Sequence, residues 1–155
     1  MNPAIPDLKR GSAHSAGIDL ISTNDDFTIY PGCEAIVSAG CQIEIPEGYW
    51  GHISIRSGLG FNQGLATHIG VVDADFRGEL KIKLFHFMNM DEVSDIVDDR
   101  IQLLTNAWHD NGVLIKKFDR IANLVIVPYL NCNPVEVQRL SDTVRGENGY
   151  GSTGR

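Results

Sequence analysis

Leu80-Lys81-Ile82-Lys83-Leu84-Phe85-His86-Phe87 alternates apolar and basic residues through its first five positions. Successive side chains of an extended chain point to opposite faces, so this pattern puts Leu80, Ile82 and Leu84 on one face and the lysines on the other. It predicts a half-buried strand. His52-Ile53-Ser54-Ile55 repeats the alternation inside a longer run, Tyr49 to Ile55. Further short β-prone runs are Ala35-Ile36-Val37, Gln42-Ile43-Glu44-Ile45, Val113 to Lys116 and Ile121 to Val127. Turn signals separate them: Pro31-Gly32, Pro46-Glu47-Gly48, Asn62-Gln63-Gly64, Gly78, Asp110-Asn111-Gly112 and Asn131-Cys132-Asn133-Pro134. Many short strands with frequent turns read as an all-β barrel or jelly roll.

One segment breaks this rhythm. Between Asn89 and Trp108, Val93, Ile96, Val97, Ile101, Leu104, Ala107 and Trp108 recur at helical spacing, opposite Asp95, Asp98, Asp99, Gln102 and Asn106. Asn89 with Glu92 resembles a capping box, and Gly112 stands just past the end. The spacing predicts one amphipathic helix at about 90–109, inserted between two strands.

At 155 residues the chain is expected to be a single domain, 1–155, large enough to bury a core without staples. No apolar run has the length of a membrane span, and the N-terminus has no signal pattern, so no membrane partner is expected. The three cysteines, Cys33, Cys41 and Cys132, form no C-x-x-C pair. Reduced thiols in a cytoplasmic or other intracellular setting are expected, in a host cell if the chain is viral, rather than disulfides or a zinc site. The five histidines have no zinc-ligand spacing. A net charge of −7 speaks against a nucleic-acid polymer as partner. A free polyphosphate would meet the same repulsive average field, so it needs local positive groups or a divalent cation.

Five stretches carry chemistry. Ala16-Gly17-Ile18-Asp19-Leu20 sets a carboxylate between apolar residues. Ile55-Arg56-Ser57-Gly58-Leu59-Gly60 ends a strand with a guanidinium, a hydroxyl and two glycines. Gly70-Val71-Val72-Asp73-Ala74-Asp75-Phe76-Arg77-Gly78 puts an aspartate directly after an apolar run. Arg120-Ile121-Ala122-Asn123-Leu124 opens the last long strand. The terminal Arg145 to Arg155 holds four glycines, Ser152, Thr153, Tyr150 and two arginines. Such a tail builds no core element, but suits a flexible arm closing over an anion and a planar ring. Taken singly, each stretch has an ordinary reading: a strand-edge carboxylate, a plain turn, hairpin aspartates, a surface ion-pair partner, a solvated tail.

In this order the five stretches resemble the motifs of the trimeric, all-β dUTPase family, over about Leu8 to Gly154, with an extra segment at about 88–111 of a viral or phage kind. The resemblance implies a distorted jelly-roll barrel with one inserted helix and a C-terminal lid arm, 145–155. It implies hydrolysis of dUTP to dUMP and pyrophosphate by in-line water attack on the α-phosphorus, lowering dUTP and supplying dUMP for thymidylate synthesis.

Asp73 matches the water-activating aspartate. Arg56, Ser57 and Gly58 match the phosphate-binding motif. Backbone groups of Gly70, Val71, Val72 and Lys81 would read uracil across a β-hairpin, and Phe76, where the family usually has tyrosine, would pack on the deoxyribose. Asn123 stands at the usual glutamine, one methylene shorter. Arg145 would pair with the terminal phosphate, Tyr150 would stack on the base, and Gly151, Ser152 and Thr153 would close on the phosphates. Asp19 would support Mg2+ only through water, the ion being carried mainly by the triphosphate. The family also implies a homotrimer whose sites draw on three subunits. The inserted helix then has two readings: packing on the barrel or across the trimer, or docking another protein. The rival functions are a dCTP deaminase of the same fold and a regulatory binding protein using that helix.

Overall fold

The computed structural model describes residues 4–87 and 111–147. In chain order the elements are β1 (Ile18–Ile21), β2 (Phe27–Ile29), β3 (Glu34–Ser38), β4 (Tyr49–Ile55), α1 (Ser57–Gln63), β5 (Leu65–Thr67), β6 (Gly70–Val72), β7 (Lys81–His86), β8 (Val113–Ile115) and β9 (Arg120–Pro128). The expected inserted helix, 90–109, lies outside the described residues, between β7 and β8. So do Tyr150, Gly151, Ser152 and Thr153.

Among the described residues all the pairings are antiparallel. One sheet has the order β1-β9-β4-β6, a second pairs β2 with β8, and a third runs β3-β7-β5. Early strands pair with late ones, so the all-β expectation is met by a non-local arrangement of sheets. The alternation holds on β7, where Ile82 and Leu84 are buried and Lys81 and Lys83 face outward. They join Leu20, Ile29, Val37, Ile53, Leu65, Val72, Ile115, Ile121 and Leu124 in one core. Burying an aliphatic side chain of this size contributes about 1.5–3 kcal/mol.

β2 and β5 are strands that the sequence reading did not include, and two segments that it did include take another form. Gln42–Ile45 is not a strand. β3 ends at Ser38, and Gly40, with a φ of +63°, then turns the chain; a Cβ there would stand 2.4 Å from Thr23 Cγ2. Beyond that turn the segment leaves the β3–β7 ladder and sends Ile45 into the core. The glycine-bearing run after Arg56 is a helical turn, α1, rather than a plain loop. Its two glycines have poor helix propensity, but Leu59 packs on the core and Gly64 ends the helix in the left-handed region, its N–H donating to the Leu59 carbonyl.

Candidate active site

Register builds the first half of the site. Asp19 on β1 faces Asn123 on β9, and Asn123 faces Ser54 on β4. Directly opposed residues share a face of a sheet. A polar row therefore crosses the outer face, while the neighbouring Leu20, Ala122, Leu124 and Ile53 fill the core. The row opens into a cleft of about 370 Å³ lined by Gly11, Ser15, Ala16, Gly17, Asp19, Ser54, Arg56, Ser57, Asn123 and Val125.

Asp19 is only 7% exposed. Its Oδ1 lies 3.1 Å from Arg56 Nε, and its Oδ2 accepts from Arg120 Nη1 at 3.3 Å. A carboxylate removed from water needs such partners. Two guanidiniums on one carboxylate leave a local excess of positive charge in an acidic chain, which suits an anionic ligand. Arg120, which the sequence offered as an ordinary surface ion-pair partner, is paired with this buried carboxylate. Arg10 is another residue the sequence did not single out. Its Nη1 donates to the carbonyls of Ser15 (2.6 Å) and Ala16 (2.7 Å), and so shapes the cleft wall. The Ser12–Ser15 bond beside it, 2.9 Å between hydroxyls, belongs to the glycine-, serine- and alanine-rich stretch Gly11 to Gly17.

A directly bound Mg2+ does not fit here. Both Asp19 oxygens are taken by arginines, and among the described residues no group of three or more His, Cys, Asp or Glu side chains could hold a metal ion.

The second half lies elsewhere. Asp73 follows β6, is exposed, and lines a separate cleft of about 680 Å³ with Glu44, Ile45, Pro46, Glu47, Trp50, Ala74, Asp75, Arg77 and Tyr129. The Phe76 N–H donates to the Asp73 carbonyl at 3.1 Å, closing a turn. The Phe76 ring lies against Gly78, where a Cβ would come within 2.6 Å of its Cζ.

The hairpin expected to join Gly70–Val72 to Lys81 is split. β6 pairs with Gly51–Ile53 of β4, whereas Lys81 starts β7 opposite Ser38. The hairpin closes instead between β5 and β7, with Thr67 Oγ1 donating to the Lys83 carbonyl at 2.8 Å. Burial of Val72 against Gly51 draws β6 onto β4.

The two clefts have no lining residue in common. On β4, Trp50 borders one and Ser54 the other, about 13 Å apart at the usual strand rise. Arg145 lines neither cleft. It is exposed, inside a turn in which the Gly146 N–H donates to the Thr143 carbonyl at 3.1 Å. From Tyr129 onward the described chain is exposed throughout, including Leu130, Val135, Leu140 and Val144.

A sequence model of the dUTPase family matches residues 4–106 and 94–154. The chain is 37% identical over 142 residues to the deoxyuridine 5'-triphosphate nucleotidohydrolase of Hydrogenobaculum sp., covering 90% of this chain and 84% of that one. It is 37% identical over 146 residues to the mouse (Mus musculus) protein of the same name, covering 94% and 76%. Among solved structures, the dUTPase of Staphylococcus bacteriophage 80alpha with dUPNHPP superimposes with a TM-score of 0.79 at 26% identity, over 97% of this chain and 92% of that one.

Proposed function

The chain belongs to the dUTPase family and hydrolyses dUTP, and from that premise we propose that each of its active sites is assembled from the two clefts of different subunits in a homotrimer. One observation carries this reading. The family-motif residues fall into two clefts with no common wall, Asp19, Arg56, Ser57 and Asn123 in one and Asp73 in the other. Water activation and phosphate binding must act on a single phosphorus, which one protomer with this spacing does not provide. The exposed apolar residues after β9 support the same reading, since a second copy would cover them.

In the assembled site the triphosphate lies along the Arg56–Ser57–Gly58 corner. The guanidinium, the Ser57 hydroxyl and the adjoining backbone amides meet its oxygens, and donors aimed at developing charge lower the barrier most. Asn123 supplies an amide beside them. From the neighbouring subunit, Asp73 orients a water behind the α-phosphorus and accepts its proton as the oxygen attacks; pyrophosphate leaves with the electron pair of the broken P–O bond.

Backbone groups of Gly70, Val71, Val72 and Lys81 read the uracil edge, and a close fit around the base rejects the thymine methyl. Phe76 covers the deoxyribose, and a 2′-hydroxyl would meet its ring. Arg145 pairs with the terminal phosphate, while Tyr150, Gly151, Ser152 and Thr153 close the arm over base and phosphates. Mg2+ arrives with the triphosphate as part of the substrate, in keeping with the lack of fit at Asp19.

Mixing two inactive variants tests the shared site. Asp73→Asn and Arg56→Ala are each expected to release almost no pyrophosphate from dUTP. After co-refolding in equal amounts, about a quarter of the sites should combine an intact Asp73 with an intact Arg56 from different subunits, and activity should return. If the mixture stays as inactive as its components, each site belongs to one protomer and the proposal fails.

A further inference from the structure

The turn that carries Asp73 and Phe76 is held by a side chain that the functional reading leaves without a role. Arg77 Nη1 donates to the carbonyl of Ala74 at 2.7 Å and to that of Phe76 at 2.9 Å. Arg77 Nη2 lies 3.3 Å from Glu44 Oε1. The guanidinium thereby gathers two carbonyls of the Asp73–Phe76 turn and ties them to the segment before Pro46. That segment is fixed in turn by Ile45, which is 4% exposed in the core. Asp73 and Phe76 are themselves exposed, so core packing does not set their positions.

We propose that Arg77 is a positioning residue for hydrolysis: it splints the loop that presents the Asp73 carboxylate and the Phe76 ring. This rests on the functional reading above, in which Asp73 activates water and Phe76 rejects a 2′-hydroxyl. A planar guanidinium suits the task, because one nitrogen faces two carbonyls while another faces a carboxylate. Loop sites are less well defined than sites on strands, and small displacements of a reacting group have large kinetic effects. Loss of the splint disturbs both functions of the loop at once, proton acceptance and sugar choice. The Glu44 contact is exposed, with 78% of its side chain accessible, so it orients the guanidinium and adds little to stability.

The test compares wild type, Arg77→Met and Arg77→Lys. Methionine keeps a long unbranched stem without donors; lysine restores donors within reach of the same carbonyls. Each is assayed for kcat and KM with dUTP and with UTP, alongside thermal unfolding and subunit assembly. Arg77→Met is expected to lower kcat for dUTP about tenfold or more with KM nearly unchanged. It should also narrow the gap between dUTP and UTP while leaving assembly intact. Arg77→Lys should recover most of the lost kcat. Wild-type kcat and wild-type sugar discrimination in Arg77→Met would overturn the proposal. So would an Arg77→Lys enzyme no faster than Arg77→Met, since donors would then not be what matters. Should Arg77→Met not fold, Arg77→Ala, which also lacks donors, is assayed in the same way: a lowered kcat with weakened discrimination supports the splint, and wild-type values for both refute it. A wild-type protein unable to split dUTP would sink the functional reading instead, a result distinct from either failure of the splint.

Discussion

Gly17 lies against Asn123: a Cβ built on Gly17 would stand 3.1 Å from Asn123 Cβ and 3.3 Å from its Oδ1. The glycine on β1's approach therefore sets where the amide on β9 sits. Gly17→Ala requires Asn123 to retreat by a few tenths of an ångström. Turnover of dUTP should fall several-fold, about threefold to tenfold, without loss of fold. Steady-state kinetics with a parallel melting curve checks this, and an unchanged kcat/KM would show that Asn123 has no positional role.

Asp19→Asn leaves Arg56 and Arg120 without their shared carboxylate. Fully buried pairs lose more when broken, but these arginine side chains are 31% and 54% exposed, so about 1–2 kcal/mol is the expected cost. The urea midpoint should drop accordingly, and dUTP turnover should drop with it because Arg56 is no longer held. Equal stability of variant and parent would rule out a structural role for the ion triad.

Asp73 is exposed and supports no packing. Asp73→Asn should leave unfolding unchanged and bind a non-hydrolysable dUTP analogue nearly as well as wild type. Its kcat should fall by about 10²–10⁴. Calorimetric binding together with pyrophosphate release separates the two effects, and retained turnover would remove this residue from the chemistry.

Arg145, Gly146 and Glu147 are exposed and contribute nothing to the core. Ending the chain after Val144 should therefore spare folding and subunit assembly, measured by light scattering, while sharply reducing turnover. A truncated chain with normal activity would exclude the lid role of the arm.

Cys41 is half-buried, and burial, with the negative Glu79 nearby, raises its thiol above the ordinary range. A raised value means less thiolate at a given pH, so Cys41 should resist iodoacetamide near pH 8 and react only as the pH climbs further. Cys132 is exposed and should be alkylated first. Peptide mapping after brief labelling distinguishes the two, and faster labelling of Cys41 would contradict its burial.

Strand character was legible on the longer half-buried strands β7 and β4, because alternation in sequence is alternation of faces, whereas the three-residue strands β2 and β5 are too short to show a period. Gln42–Ile45 carried the same signal and is no strand, since the left-handed turn at Gly40 takes it away from any ladder. The α1 turn was hidden by its glycines and became clear only with Leu59 packed inside and Gly64 capping the end. The site residues were visible as residue types in order, but their partners were not. Nothing local to Asp19 announces Arg120, which lies 101 positions away.

The chain's own order of residues was enough to determine the all-β class, the five chemical stretches and, through them, the family. Residue type and local periodicity are properties of neighbours in the chain, and these features depend on nothing else. Tertiary structure alone decided that Asp19, Arg56, Asn123 and Ser54 share one cleft while Asp73 stands in another. That partition follows from β9 lying between β1 and β4 and from Val72 drawing β6 to the far side of β4. Both are consequences of burying one hydrophobic core from distant segments, a constraint that acts on the whole fold and is written in no single stretch of it.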